Sequence, residues 1–132
     1  MELGLASLHL QWFRPVFDGF LWGLLAMVLH EAGHLIAAVV VGIRIKSVAL
    51  RWKGLCTVRE AGPPDKNLLV SLAGPCTNVL LLLLWPMSHR FGLANICFAV
   101  VNLLPINGSD GERALDCLEL MREQNSSRTP VS

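Results

Sequence analysis

The stretch "VLHEAGHLIA", Val28–Ala37, sets two histidines and a glutamate inside a run of apolar residues. Ionisable groups are costly in an apolar environment and mark functional positions when they occur there. On a helix, His30 and His34 are four residues apart and share one face, about 40° apart around the axis. Glu31 falls between them, so the three occupy an arc of roughly 100°. Two imidazoles at this spacing can hold one zinc ion, and a carboxylate beside them can act as general base on a water. The same helix carries Gly19, Gly23, Ala26 and Ala37, a stripe of small residues that favours packing against other helices rather than lipid.

The surroundings of this stretch define the class. The chain has 132 residues, enough for one domain, with 53% hydrophobic and 16% charged residues. Soluble domains carry about 25% charged residues, and this deficit is sharpened by segregation. Between Gly19 and Gly42 the one charged side chain is Glu31, and between Leu68 and Met87 there is none. That pattern predicts an integral membrane protein. A net charge of +1 without a dense basic tract argues against nucleic acid as a partner. Cys56, Cys76, Cys97 and Cys117 form no C-x-x-C pair and read as small hydrophobes. The first fifteen residues lack the basic and apolar regions of a cleavable signal peptide.

Three apolar segments are expected to form a transmembrane core. Residues 17–41 and Leu68–Met87 are each long enough to cross a bilayer, which takes roughly 20 helical residues. The third, "FGLANICFAVVNLL" (91–104), spans only about 21 Å as a helix before Pro105 stops it, short of a ~30 Å hydrocarbon core. The following "PINGSDG" is therefore irregular backbone at membrane depth, tolerated only where protein or a hydrated cavity shields it. The linker 43–66 is polar, and its alternating "GIRIKS", "VALRW" and "LCTVRE" segments predict a small β-hairpin turning at Lys53–Gly54. The fold class expected is an all-α integral membrane protein: three segments, the third broken at Pro105, with a small membrane-associated hairpin in the cytosolic linker. After Asp110, Ala114, Cys117, Leu118 and Met121 recur at helical spacing, with Ser109 and Glu112 suited to a capping box. Residues 1–124 are expected to form a single core domain, and 125–132 a disordered tail.

Basic residues orient the chain. Arg44, Lys46, Arg51, Lys53, Arg59, Lys66, Arg113, Arg122 and Arg128 fall on one side and Arg14 and Arg90 on the other. This places the N-terminus outside and the linker and C-terminus in the cytosol, in a plasma or inner membrane. Trp12, Phe13 and Trp85 then lie near the outer interface. Counted inward from Gly42, His34 lies about 12 Å and His30 about 18 Å from the cytosolic edge. Ser71–Asn78 on the second segment spans about 6–16 Å, and the broken third segment leaves Asp110 in a gap roughly 9 Å deep. Zinc needs a third protein ligand and an open fourth position. His9, His89 and Asp18 lie toward the outer side, and Asp65 and Asp116 belong to polar regions. Asp110 is the candidate at the right depth, and it also suits the start of the tail helix.

Taken together, "HEAGH", "AGPCTN" (Ala73–Asn78) and "NLLPINGSDG" (Asn102–Gly111) resemble the three signatures of the site-2 protease family of intramembrane zinc metalloproteases. The family's G-P-x-x-N is matched at Gly74, Pro75 and Asn78, and its N-x-x-P-x-x-x-L-D-G in spacing at Asn102, Pro105, Asp110 and Gly111. Ser109 stands where the family has leucine and Glu112 where a second glycine is common. The resemblance implies hydrolysis of a peptide bond within the transmembrane segment of a membrane-anchored, regulatory protein. It implies zinc held by His30, His34 and Asp110, with Glu31 as acid and base, and Asn78 and Asn102 donating to substrate carbonyls; helix–helix hydrogen bonding is the other role open to both asparagines. Gly74 and Pro75 would kink or loosen the second segment beside the metal, and the 43–60 hairpin would take the place of the family's membrane-associated sheet. With no regulatory domain, the chain reads as close to a bare catalytic core, whose partners would be the bilayer, a transmembrane protein substrate, and a regulatory partner or a second copy. Two other readings stay open: a non-enzymatic membrane metal- or haem-binding protein, and an inactive protease-like scaffold.

Overall fold

In the computed structural model the backbone is described for residues 2–51, 54–60 and 62–128, and side chains for 14–48, 58, 60 and 62–127. Helix α1 runs over Glu2–Val41 with Pro15 inside it. It ends at Gly42, whose φ of +76° is the left-handed conformation that a residue without Cβ adopts freely. The Gly42 N–H donates to Val39 O at 3.2 Å and the Ile43 N–H to Ala38 O at 2.8 Å, the paired bonds of a Schellman stop. Ile43 then buries against Ala38 and Val70, which ties the helix end to the second span.

Strands β1 (Ile45–Arg51) and β2 (Gly54–Arg59) pair antiparallel, with Ile45 opposite Arg59, Arg51 opposite Gly54 and an irregularity between Ile45 and Ser47. The Glu60 N–H donates to Arg44 O at 2.9 Å and closes the base of the pair. Trp52 and Lys53, at the expected turn, lie outside the described residues, as do the side chains of Trp12 and Phe13.

Helix α2 (Pro64–Leu81) starts with proline in its first turn, where no N–H is missed, and passes through Pro75 without an assigned break before tightening into a 3₁₀ segment, Leu82–Met87. Ser88 opens α3 (His89–Leu103), its Oγ accepting from the Phe91 N–H at 3.3 Å. This helix stops two residues short of Pro105, with Leu104 already extended. The loop to α4 (Asp110–Arg128) is tied by one side chain. Ser109 Oγ donates to Leu104 O at 2.6 Å and accepts from the N–H groups of Ile106 at 3.2 Å and Glu112 at 3.1 Å. The Glu112 carboxylate accepts from the Gly108 N–H at 2.5 Å, one residue earlier than a standard capping box. The tail expected to be disordered from residue 125 instead continues α4 as far as Arg128, and 129–132 lie outside the described residues. Extending an existing helix costs far less than starting one, so a polar composition alone does not end it.

Helix α2 is the centre of the assembly, packed against α1, α3 and α4, while α1 also packs against α3. Its buried face reads Val70, Ser71, Gly74, Pro75 and Asn78, mostly small or polar. Its exposed face reads Leu69, Val79, Leu80 and, in the 3₁₀ continuation, Leu83, Leu84 and Met87. The same inversion holds on α1, where Phe17, Phe20, Ile36, Val39 and Val40 are exposed and His30, Glu31 and His34 are buried. So much exposed apolar surface marks a face that meets lipid or another protein. Two stretches, Arg14–Val41 and Pro64–Met87, are long and apolar enough to cross a membrane, at 28 and 24 residues. Helix α3, with 15 residues, covers about 22 Å and falls short of that length.

The α1–α2 contact is close at Gly33, where a Cβ would stand 2.9 Å from Ala73 O and 3.0 Å from Thr77 Cβ. Backbone cannot step aside as a flexible side chain can, so Gly33→Ala should force the two helices apart. We expect a loss of about 1–3 kcal/mol, read as a lowered melting temperature of the purified protein in detergent.

Candidate metal centre

Four functional side chains converge on the buried face of α2. His30, Glu31 and His34 come from the middle of α1, and Asp110 is the first residue of α4. All four are buried, His30 to 3% exposure and Asp110 to 5%. Asp110 Oδ2 lies 3.0 Å from Nε2 of His30 and 3.0 Å from Nε2 of His34, and the two Nε2 atoms are 3.2 Å apart. The donor atoms of His30, Glu31 and His34 all lie within 4.8 Å of one another.

The hydrogen bonds on the far side of each ring fix where the protons are. His34 Nδ1 is 2.6 Å from Val70 O, a carbonyl that only accepts, so Nδ1 carries the proton and the neutral ring has its lone pair on Nε2. His30 Nδ1 is 2.5 Å from Asn78 Oδ1. Asn78 Nδ2 in turn faces two acceptors, Ala26 O at 3.3 Å and Asn95 Oδ1 at 2.8 Å. Asn78 therefore presents its oxygen to His30, whose Nδ1 must donate, leaving a lone pair on Nε2 as well. A carboxylate oxygen completes a triangle of three lone pairs. With both rings neutral these atoms repel, and a cation at their centre, a proton or a metal ion, reverses the sign. Ligand atoms that share a tetrahedral zinc ion are about 3.3 Å apart, close to the spacing found here. The residues fit zinc, and His30, His34 and Asp110 would hold it.

Gly74 makes room for this geometry. A Cβ there would lie 2.6 Å from His34 Cε1 and 2.7 Å from His30 Cε1. Its role is to let both imidazoles lie against the α2 backbone, within a helix that runs through Pro75. Gly111 plays a similar part for Asp110: a Cβ there would stand 2.6 Å from Leu103 C and 3.0 Å from Leu104 O, so its absence lets α4 start against the end of α3. Asp110 also sits where the helix N-terminus favours negative charge, and the Arg113 guanidinium is 3.8 Å from its Oδ1.

Of the two asparagines expected to meet substrate, Asn78 faces a ligand and Asn102 donates along its own helix. Asn78 is fully buried and uses both ends of its amide on His30, Ala26 and Asn95. Asn102 returns its Nδ2 to Phe98 O, 2.9 Å away on its own helix. The groups set aside as ligands lie apart from the cluster: Asp18 pairs with Arg90 at 3.1 Å, His89 stacks on Trp85 with ring centroids 5.7 Å apart, and Asp65 and Asp116 are exposed. His9 lies outside the described side chains. Two groups that orient the ligands escaped the sequence reading. Asn95 is the one amide inside "FGLANICFAVV" and could have been flagged on that ground; Val70 acts through its backbone and leaves no signal.

No family model matches the chain. It is similar to zinc metalloprotease MJ0392 of Methanocaldococcus jannaschii, 26% identical over 127 residues, covering 86% of this chain and 37% of that protein. It is also similar to a Synechocystis sp. protein provisionally named as a zinc metalloprotease, sll0528, 29% identical over 106 residues, covering 68% of this chain and 28% of that protein. The chain thus spans about a third of the length of these relatives. Both names agree with the site-2 protease resemblance of the three motifs, and with the donor set they identify the metal as zinc.

Gly74→Ala tests the cradle. Both rings are held at their outer nitrogens, so they cannot retreat from a new methyl group without losing those bonds. The purified variant should retain its helix content by circular dichroism and lose most of its zinc by metal analysis.

Proposed function

We propose that this chain is a zinc-dependent intramembrane endopeptidase of the site-2 protease kind, cutting a peptide bond in the transmembrane segment of a membrane-anchored protein. The observation that carries this reading is the inversion of polarity around the metal centre. The buried polar side chains include the zinc donors and their hydrogen-bonding partners, and the large side chains exposed on the same helices are mostly apolar. Such a site is suited to a substrate that arrives through lipid.

Zinc bound by His30, His34 and Asp110 supplies Lewis acidity, which brings the pKa of a water toward 7 and polarises a carbonyl. Glu31, with its carboxylate beside the ligand atoms, takes a proton from the attacking water and delivers it to the leaving amine nitrogen. His30 and His34 keep their donor atoms aimed inward because Asn78 and Val70 O hold the opposite ring nitrogens. Asn78 therefore serves the ligand, and direct contact of Asn78 or Asn102 with the scissile carbonyl is not part of the reaction we propose.

An α-helical substrate hides its carbonyls in its own hydrogen bonds, so it must unwind before it is cut. The β1–β2 pair follows α1 directly through the Gly42 stop and offers two strand edges. In this reading it lies at the cytosolic membrane face, and an unwound substrate adds to one edge as a further strand. The basic linker and tail put that face in the cytosol of a plasma or inner membrane, with the N-terminus outside. A regulatory partner or a second copy selects the substrate. A haem-binding role gives Glu31 nothing to do, and intact ligands with an intact Glu31 disfavour an inactive scaffold.

Glu31→Gln keeps the shape and removes the base. The variant should hold stoichiometric zinc and lose cleavage of a co-expressed membrane substrate by at least about a hundred-fold. Unchanged cleavage would refute the role of Glu31, and a parent protein without zinc would refute the metal centre. Proline scanned along Ile45–Arg51 should slow cleavage and leave zinc content unchanged if the strand edge receives substrate.

A further inference from the structure

We infer that Asn95, on α3 and remote from the reacting atoms, is a positioning residue that decides which nitrogen of His30 carries the proton, and so keeps the lone pair of Nε2 for the metal. The inference rests on His30 being a zinc ligand and extends that reading to a residue outside the three motifs. Asn95 is fully buried, and its Nδ2 donates to Phe91 O at 2.9 Å. A backbone carbonyl only accepts, so this bond fixes the amide with its nitrogen toward Phe91 and its oxygen toward α2. That oxygen accepts from Asn78 Nδ2 at 2.8 Å, which turns the Asn78 oxygen toward His30 Nδ1 at 2.5 Å. Each bond has one allowed direction, and the direction is set at Phe91 O. The sequence Phe91 O, Asn95, Asn78, His30 thus passes a backbone polarity across three helices to the lone pair on His30 Nε2.

Asn78 alone is a weaker lock. Without an acceptor at Asn95 its Nδ2 would keep only Ala26 O, at 3.3 Å, a long bond. A flipped Asn78 would then offer N–H to His30 Nδ1, which would move the ring proton to Nε2 and block the metal position. His34 needs no such relay, because Val70 O contacts its Nδ1 directly. The two ligands therefore differ in how their tautomers are held, and this difference supplies an internal control.

The test uses the full chain in detergent, with ¹⁵N-labelled histidine, metal-free and at alkaline pH where the imidazoles are neutral. In the parent both His30 and His34 should be protonated on Nδ1. In Asn95→Leu, His30 should shift to a mixture or to the Nε2 form while His34 stays as it was. Zinc affinity of the same variant should fall about ten- to a hundred-fold, and Asn78→Leu with Asn95→Leu should cost little more than Asn78→Leu alone. Asn95→Asp is the rescuing variant: in either charge state its carboxyl keeps an oxygen that accepts from Asn78 Nδ2, so parent tautomer and affinity should return. Asn95→Leu with a lowered melting point but unchanged tautomer and zinc affinity would reduce Asn95 to a packing role and overturn the inference. So would a parent protein with His30 protonated on Nε2, a result that needs no variant to fold. If zinc fails to bind the parent while the tautomers behave as stated, the metal reading falls and the relay stands.

Discussion

Three lone pairs aimed at one point in an apolar interior repel one another, and the rest of the chain is arranged to keep them there. The outer nitrogens of the two histidines are pinned by acceptors, so neither ring can turn its N–H inward to relieve the repulsion. The carboxylate of Asp110 is fixed by the start of α4 and by the close approach that Gly111 permits. The glycine at position 74 removes the one atom that would hold the rings off. Away from those three facing atoms, every fully buried side-chain nitrogen or oxygen among the described residues has a hydrogen-bond partner. In a low-dielectric setting that condition decides whether a buried polar network stabilises the fold or disrupts it.

The parts of the site that a sequence can disclose are those carried by side-chain type and helical spacing. His30, Glu31 and His34 follow from a 3.6-residue period, and Asp110 from counting depth along segments that start at a common edge. What depends on rotation about a helix axis was out of reach. Whether Asn78 faces substrate or ligand depends on where α3 places Asn95, and no pattern in either segment specifies that angle. The bond from His34 to Val70 O depends on the α1–α2 separation at Gly33, a contact that a lone glycine suggests but does not locate. Similarly, Ser109 could be read as a cap for α4 but not as the tie that gathers Leu104 O and the Ile106 N–H around one hydroxyl.

The departure from the family pattern at Ser109 becomes intelligible in this light. A leucine there would leave the Ile106 and Glu112 N–H groups and the Leu104 carbonyl to find other partners. The hydroxyl satisfies all three beside Asp110, on irregular backbone. Glu112, in place of a second glycine, adds a carboxylate that accepts from the Gly108 N–H in the same turn.

Helix α2 donates no ligand, yet it lies between the helices that do, and the donor atoms on α1 and α4 belong to residues 76 and 80 positions apart. Metal bound to His30, His34 and Asp110 is therefore a cross-link that closes a long loop around a central strut. Cross-links of that span restrict the unfolded chain most, and a metal that binds only the closed arrangement adds its binding energy to it. Metal held by these residues would therefore couple the docking of α4 to metal binding at Asp110.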